Sequence, residues 1–539
     1  MRLYGPPMLR PAAGFTICAG LTSSLAILVA CDGNSHGESS EKRDTNGSGD
    51  SDSGPGPDAS GWVRQVSSDT ATYFDLGAEI LTFAVTADNP TGYRDPDGAD
   101  PLFYVIRPVS FADPDAEHPV LLWLHGDAQG IETDDTRNRA CGVDGIAATV
   151  ENAIREHPFI ASEVVSRQWM WVVPVNSWCD LWTGLGEEDP VDHTHHGQEH
   201  ATTVLQSVKL GFGGMRGASD QVYGWGTSIG AEGILTVSNA TGGFAGVVAD
   251  SGPVNATSWY DLPAETAYLD HILGGSPQEK PEEYARVDAT ITVASGGYRV
   301  PLFTVYNTFD GLVPIRQNEA LAAAVDAAYP ADGVRYLHHD VSHHAPGARY
   351  HVQSGYDHTP MSYLNRAAFD FLLGASIEYF EAENTCTAGM CETVAETGVD
   401  NVEPSSAYSG GSAVVASSTS GAGVMYTGQL PASAAGKSVT LLPVIAASDM
   451  GGVDASSTVL TLRLKNGAAT LATRLVLAGD LAGENDATTA YAHQIDATSW
   501  PLDTNGDGKA DALPNGNLTI EVEYSGVGGV GLDGFWMVE

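Results

Sequence analysis

The chain has 539 residues and carries 25 Lys and Arg against 68 Asp and Glu, a formal charge of −43. That length calls for more than one folded unit, and 42% hydrophobic residues are enough to build globular cores. The acidity excludes nucleic acid and anionic membrane surfaces as partners and suits an exported protein that meets neutral ligands or Ca²⁺.

The chain opens with Arg2 and Arg10 and no acid nearby, then runs apolar from Phe15 to Ala30. The run is short for a membrane-spanning helix and gives way at once to acidic polar sequence, so residues 1–30 read as an export signal. Its last residues, Leu28-Val29-Ala30-Cys31, resemble the lipobox of bacterial lipoproteins. That resemblance implies cleavage before Cys31 and a lipid on its thiol, anchoring the protein to the cell envelope; a plain secretory signal would release it. Residues 31–60 are Ser/Gly/Asp-rich with almost nothing apolar, and read as a flexible tether. With Cys18 lost in the leader and Cys31 lipidated, Cys141, Cys179, Cys386 and Cys391 remain. An even remainder in an exported chain suggests two disulfides: Cys386 with Cys391 as a local loop, and Cys141 with Cys179 by default.

From 61 to 376, short apolar runs alternate with helix-like stretches. Strands are predicted at 102–109, 119–126, 169–176, "DQVYGWG", "FAGVVADSG", "PLFTVYNTFD" and "VRYLHHDV". Helices are predicted at "GIAATVENAIREHP", "HATTVLQSVK", "AEGILTVSNA", "NEALAAAVDAAY" and "SYLNRAAFDFLLG". Buried β runs separated by amphipathic helices imply an α/β unit with a mostly parallel sheet covered on both faces. Past 377, Gly, Ser, Ala, Thr and Val dominate, and period-two runs such as "TVLTLRLK" (458–465), "ATRLVLAG" and "LTIEVEY" (518–524) appear. Residues 377–539 therefore read as an all-β sandwich, joined to the preceding helix without a linker and free to pack against it.

The chemistry gathers around "YGWGTSIGAEG" (223–233), which contains G-x-S-x-G at Gly226-Thr227-Ser228-Ile229-Gly230. The serine lies between a predicted strand and a predicted helix, where flanking glycines permit a tight, strained turn that exposes the hydroxyl. Asp310 follows the strand "PLFTVYNTFD", and His343 follows "HHDVS" just past the next one. The order Ser…Asp…His, together with "FDGLVP" and "LLWLHGDAQG" (121–130), resembles the α/β-hydrolase superfamily over nearly all of 80–376. Polyhydroxyalkanoate depolymerases and feruloyl or acetylxylan esterases are the similar exported group. The resemblance implies Ser228 as nucleophile, His343 as base and Asp310 as the acid that orients it. It also implies an oxyanion hole from the backbone N–H of Ile229 with that of Asp127 or Ala128. His344 and His358 stay open as alternative bases. Such chemistry needs no cofactor. The stretch "CDLWTGLGEEDPVDHTHHGQEH" holds His193, His195, His196 and His200, but its spacing fits no metal motif, and it reads as a loop at the cleft mouth leading into a helix. Trp178, Trp182 and Trp225 read as core aromatics that can also line a cleft.

In the C-terminal region, Asp503, Asn505, Asp507 and Asp511 lie in a D-x-N-x-D-G-x-x-D run whose alternating oxygens suit Ca²⁺. Pro514 stands where a complete EF-hand would place its acid, which leaves a shorter calcium loop. "YFEAEN" (379–384), "AYSGGSAVV" (407–415) and "VGLDGFWMVE" resemble carbohydrate-binding modules of the family 6 and 35 type, a jelly-roll, galactose-binding-like sandwich. That resemblance implies a structural Ca²⁺ held by Glu381, Glu383 and Asp533, and a polysaccharide ligand. The expectation is thus an exported, anchored serine esterase acting on polymer- or glycan-linked esters. The alternatives are a glycan-binding adhesion lipoprotein with an inert hydrolase-like unit, and a serine peptidase on the same fold.

Overall fold

The computed structural model describes residues 59–67, 77–86, 88–89, 100–109, 111–113, 115–126, 158–175, 196–295, 298–307, 310, 313–314, 316–328, 336–341, 365–375, 377–381, 414–416, 422–448, 450, 452–481, 492–494 and 500–539. All of them belong to one compact unit, 55–539. The expected leader, Cys31, the acidic tether and the four cysteines of the expected disulfides lie outside these residues. No helix among the described residues is long and apolar enough to cross a membrane.

The first module is built on a sheet of nine strands: β1 (Val63–Ser67), β2 (Ala78–Val85), β3 (Leu102–Pro108), β4 (His118–Leu124), β5 (Met170–Pro174), β6 (Gly217–Thr227), β7 (Phe244–Asp250), β8 (Leu302–Asn307) and β9 (Tyr336–Val341). Their order across the sheet is β1-β2-β3-β5-β4-β6-β7-β8-β9. The junctions from β1 to β5 are antiparallel. Every junction from β5 to β9 is parallel, so the sheet is mostly parallel, as the sequence leads one to expect. Central strands such as β5 are buried at every position, since helices cover both faces.

The helices are α1 (Pro158–Ser166), α2 (His196–Leu210), α3 (Ile229–Thr241), α4 (Ala256–Tyr260), α5 (Pro263–Leu273), α6 (Pro281–Val287), α7 (Ala289–Ala294), α8 (Arg316–Ala328) and α9 (Asn365–Leu372). On one face of the sheet Val204 and Val208 of α2 and Ile234 of α3 pack against Val120, Leu122 and Val222. On the other, Ile160 and Val164 of α1 and Phe369 and Phe371 of α9 pack against Leu121, Trp171 and Phe303. The helix expected at 145–158 lies outside the described residues except for Pro158, where α1 begins. Four short helices, α4 to α7, form an insert between β7 and β8 that the sequence pattern did not reveal. Its Trp259, Leu269, Tyr284 and Val293 join the first apolar cluster, so the insert is fused to the core.

The second module has two antiparallel sheets. One runs β10 (Ile377–Glu381), β19 (Gly529–Val538), β13 (Thr440–Ser448), β16 (Ala492–Gln494), with β11 (Val414–Ala416) on β19 and β17 (Trp500–Pro501) on β13. The other runs β12 (Gly423–Gln429), β18 (Leu518–Tyr524), β14 (Thr458–Asn466), β15 (Ala469–Leu477). Strict alternation in β18, with Leu518, Ile520, Val522 and Tyr524 buried, is the period-two pattern of a half-buried strand. Leu441, Ile445, Phe535 and Met537 of the first sheet share a core with Tyr426, Leu460, Leu462 and Ile520 of the second. The opposite face of the first sheet presents Leu442, Val444 and Trp536 to the α/β module. Contacts thus continue across the boundary expected at 376–377.

Candidate active site

Ser228 sits at the turn from β6 into α3 with φ 57° and ψ −129°. Ser228, Ser251 and Gln168 are the described non-glycine residues with positive φ. Holding a residue there costs on the order of 1–3 kcal/mol and persists only where neighbours over-determine it. The neighbours do so. A Cβ on Gly226 would fall 2.0 Å from the Gly230 carbonyl oxygen, and one on Gly230 would fall 1.9 Å from the Leu124 carbonyl oxygen. Only glycine at both positions lets the helix turn this sharply off the strand and lie against the end of β4. The Ser228 N–H donates to the Asp250 carbonyl (2.8 Å), and the Ser228 carbonyl accepts from Ala231 N–H (2.8 Å). Ser228 is half-buried and its side chain does not cap the helix it precedes. Its hydroxyl is thus held at the rim, away from the role a serine at a helix start ordinarily takes.

Because β6, β7, β8 and β9 are parallel, their C-terminal ends share one edge of the sheet. Ser228 follows β6 at that edge and Asp310 follows β8. Asp310 is 4% exposed, and its Oδ1 accepts from Val313 N–H at 2.8 Å, which fixes the carboxylate. β9 reaches the same edge at Val341; His343, His344 and His358 lie beyond it, outside the described residues. Ile229 is the first residue of α3, so its N–H belongs to the turn whose amides lack intrahelical acceptors and favour negative charge. Asp127 and Ala128 lie outside the described residues. The loop that leads to them is placed, however: a Cβ on Gly126 would come 3.1 Å from Ser228 Cβ and 3.8 Å from its Oγ.

His125 and Asp250 lie beside this arrangement and carried no signal that sequence reading used, whereas His200 was one of the histidines of the stretch before the predicted helix. His125 is fully buried, and its Nδ1 lies 2.6 Å from the Gly126 carbonyl, so that nitrogen carries the proton and donates. Burial pushes its pKa down to about 4, opposed by that hydrogen bond. His200, in α2, donates from Nε2 to the Leu102 carbonyl of β3 (2.8 Å) and is likewise pushed down to about 4, chiefly by burial. It is thus a buried packing residue between helix and sheet. Asp250 ends β7 at the same edge, buried, with Oδ1 accepting from Ser251 Oγ at 2.9 Å. Of the candidate tryptophans, Trp225 is buried in the core, while Trp178 and Trp182 lie outside the described residues, as do His193, His195 and the side chain of His196.

In the C-terminal loop, the oxygens expected to face a cation face N–H donors. Asp503 Oδ1 accepts from Asn505 N–H (3.1 Å), Gly506 N–H (2.5 Å) and Asp507 N–H (3.3 Å), and its Oδ2 from Gly508 N–H (2.6 Å). Asp511 Oδ2 takes Thr504 N–H (2.7 Å) and Asn505 N–H (3.0 Å), and Asn505 Oδ1 takes Asp507 N–H (2.9 Å). Among the described residues no group of three His, Cys, Asp or Glu is placed to hold a metal. For the second expected set, register pairs Glu381 of β10 with Gly534 of β19, which puts position 381 beside Asp533. The pairing of β13 with β19 slips at Asp533, between Val444 and Ile445. Glu383 and the side chains of Glu381 and Asp533 lie outside the described residues. Of the described aromatics of this module, Tyr426, Trp500, Tyr524, Phe535 and Trp536 are buried, and Tyr379 is half-buried with its ring 4.8 Å from that of Trp536.

No protein-family model matches the chain, and no curated protein does. Among solved structures it is similar to an S-formylglutathione hydrolase from Agrobacterium tumefaciens, at 16% identity over 58% of this chain and 97% of that one, with a TM-score of 0.37. It is similar to acetyl xylan esterase 1 from Thermoanaerobacterium sp., at 14% identity over 58% and 87%, with a TM-score of 0.36. It is also similar to a protein described as a dipeptidyl aminopeptidase IV from Bacteroides ovatus, at 14% identity and a TM-score of 0.36; there it covers 55% of its own length and only 36% of the other chain. At these identities and scores, the chemistry assigned below rests on the site itself.

Proposed function

We propose that the chain is an exported serine hydrolase that cleaves carboxylic esters through an acyl-enzyme. The observation that carries this reading is Ser228: a serine held at φ 57° on a strand-to-helix turn, on the same sheet edge as the buried carboxylate of Asp310. Backbone strain of this kind clusters at active sites, and a sharp strand-to-helix turn is how a nucleophilic hydroxyl is presented at the edge of such a sheet.

In this reading His343 takes the Ser228 proton while Asp310 holds the imidazole in the tautomer that can accept it. The alkoxide attacks the ester carbon, and the negative oxygen forms beside the Ile229 N–H and an N–H of residues 127–128. His343 then protonates the leaving alcohol, and the same base activates the water that frees the acid. The adjacent end of α3 adds the favourable field of a helix N-terminus. Export and a lipid anchor at Cys31 complete the proposal and fit the charge of −43.

The test is hydrolysis of p-nitrophenyl acetate by wild type and Ser228→Ala, with a p-nitroanilide as the amide arm. Wild type is expected to cleave the ester, and the variant to lose kcat by a factor on the order of 10⁵–10⁶. Equal rates for the two proteins overturn the assignment; anilide cleavage without ester preference moves it to a peptidase.

A further inference from the structure

Gln317 is a polar side chain with 0% exposure on the helix that follows the acid loop, and the proposed reaction has no direct use for it. Its amide is engaged at both ends. Oε1 accepts from Asn255 N–H at 2.6 Å, while Nε2 donates to the Asn255 carbonyl at 3.1 Å and to Ser258 Oγ at 2.7 Å. It reads both main-chain groups of one residue, as a neighbouring strand would.

What it joins gives the contact its interest. On one side lies the segment leaving β7. Its Gly252 lies against the nucleophile turn, since a Cβ there would come 2.5 Å from Ala231 Cβ and 3.1 Å from the Ser228 carbonyl oxygen. The Gly252 carbonyl is taken by the Tyr306 hydroxyl of β8. Asn255 then caps α4, accepting from Ser258 N–H at 2.7 Å. On the other side lies the acid loop. Asp310 accepts from Val313 N–H, and Pro314 next to it accepts from Gln317 N–H at 2.9 Å. One buried amide thus bolts the floor under Ser228 to the loop that carries Asp310. Arg316 adds an exposed donor to the Ser258 carbonyl at 2.8 Å.

We propose that Gln317 is a positioning residue for the Ser228–Asp310 pair, fixing the acid loop to the segment beneath the nucleophile and keeping the α4–α7 insert as a fixed wall of the site. This rests on the serine-hydrolase reading above. A misplacement of about 1 Å between reacting groups is enough to cost about 100-fold in rate. A glutamine with every polar atom used and no solvent contact is a means of preventing it, because an unpaired buried amide is expensive to leave.

The experiment measures kcat and KM on a p-nitrophenyl ester from pH 5 to 9 for wild type, S228A, Q317M and Q317E, with a thermal melt of each. Q317M keeps the volume and deletes the hydrogen bonds; kcat is expected to fall about 10- to 100-fold with KM within about twofold. Q317E restores the acceptor, and one of the two donations only when its carboxyl is protonated, a form that burial favours. The ratio of Q317E to wild-type kcat is therefore expected to approach one at the acid end and to fall toward the Q317M level as pH rises. Asp288, linked through Thr290 to Asn255, and the Arg316 guanidinium are present in both proteins, so their effects cancel in the ratio. A purely structural glutamine would lower stability without this pH-dependent rescue. Should Q317M and Q317E both fail to fold, S258A removes one partner at a half-buried hydroxyl and is read the same way: a kcat loss at constant KM supports the proposal, and an unchanged kcat overturns it. An inactive S228A beside Q317 variants that keep wild-type kcat and a flat ratio removes this proposal alone. An S228A as active as wild type removes the serine-hydrolase reading itself.

Discussion

At the scale of the residue, the site depends on backbone approach as much as on side-chain chemistry. Gly230→Ala forces a methyl group to within 1.9 Å of the Leu124 carbonyl, a contact with main chain that no rotamer relieves. The turn must open, and a loss of about 3 kcal/mol or more in unfolding free energy, read by denaturant titration, is expected together with loss of ester cleavage. A variant with wild-type stability would show that the close packing is not needed. Two buried acids stand at the same edge, and they should separate. Asp310→Asn is expected to lower kcat about 10⁴-fold, because an amide there favours the wrong imidazole tautomer. Asp250→Asn, whose carboxylate is engaged by Ser251, should retain most of it. A reversed ranking in steady-state kinetics would make Asp250 the acid. The turn at Gly226, Ser228 and Gly230 was legible in the sequence because so close an approach of helix to strand requires glycine on both sides at fixed spacing. Asp250 and Gln317 were not, since each takes its role from a partner brought in by the fold: Asp250 from β6 alongside, Gln317 from a residue 62 positions away; nor was His125, whose state is set by burial at the end of β4.

At the scale of the element, strand type was readable where one face or both faces of a strand see a uniform environment. β14 and β18 alternate because one side meets the core and the other does not. β13 does not alternate, since the sheet it belongs to is buried against β12–β18 on one side and against the α/β module on the other. Its apolar run therefore carries no period. The packing of α2 and the end of β4 has a consequence for pH. His125 and His200 are buried with pKa values near 4, below the ordinary 6.5. Between pH 6.5 and 4 the unfolded chain binds these two protons and the folded chain does not. Folding stability is then full above about pH 6.5 and declines as pH falls toward 4, by up to about 3 kcal/mol for each residue. Calorimetric melts of wild type should drop between pH 7 and 5. His200→Gln keeps a donor for the Leu102 carbonyl but cannot titrate, and should drop by about half as much. Parallel pH dependences for the two proteins would remove the buried pair as the cause.

At the scale of the whole molecule, a catalytic module and an appended β module are ordinarily thought separable, and here the packing argues otherwise. Trp536 of β19 is fully buried with its ring 6.0 Å from Phe303, a residue of β8, the strand that leads to Asp310. Tyr379 of β10 packs on the same indole at 4.8 Å. Phe369 and Phe371 of α9 share this cluster with Leu442 and Val444 of β13. Ending the chain after Ser376 would bare Phe303, Phe369 and Phe371 together, an apolar patch of the kind monomeric proteins do not leave in water. The truncated α/β module is expected to aggregate or to lose ester cleavage, although the proposed triad lies within it. Trp536→Ala tests the same coupling without cutting the chain. It should cost about 3–5 kcal/mol and lower one shared melting transition, because a side chain that belongs to both modules cannot loosen only one. Two transitions in a calorimetric scan, with only the later strands sensitive to the substitution, would show that the β module is a passenger and that the buried indole merely fills space between independent folds.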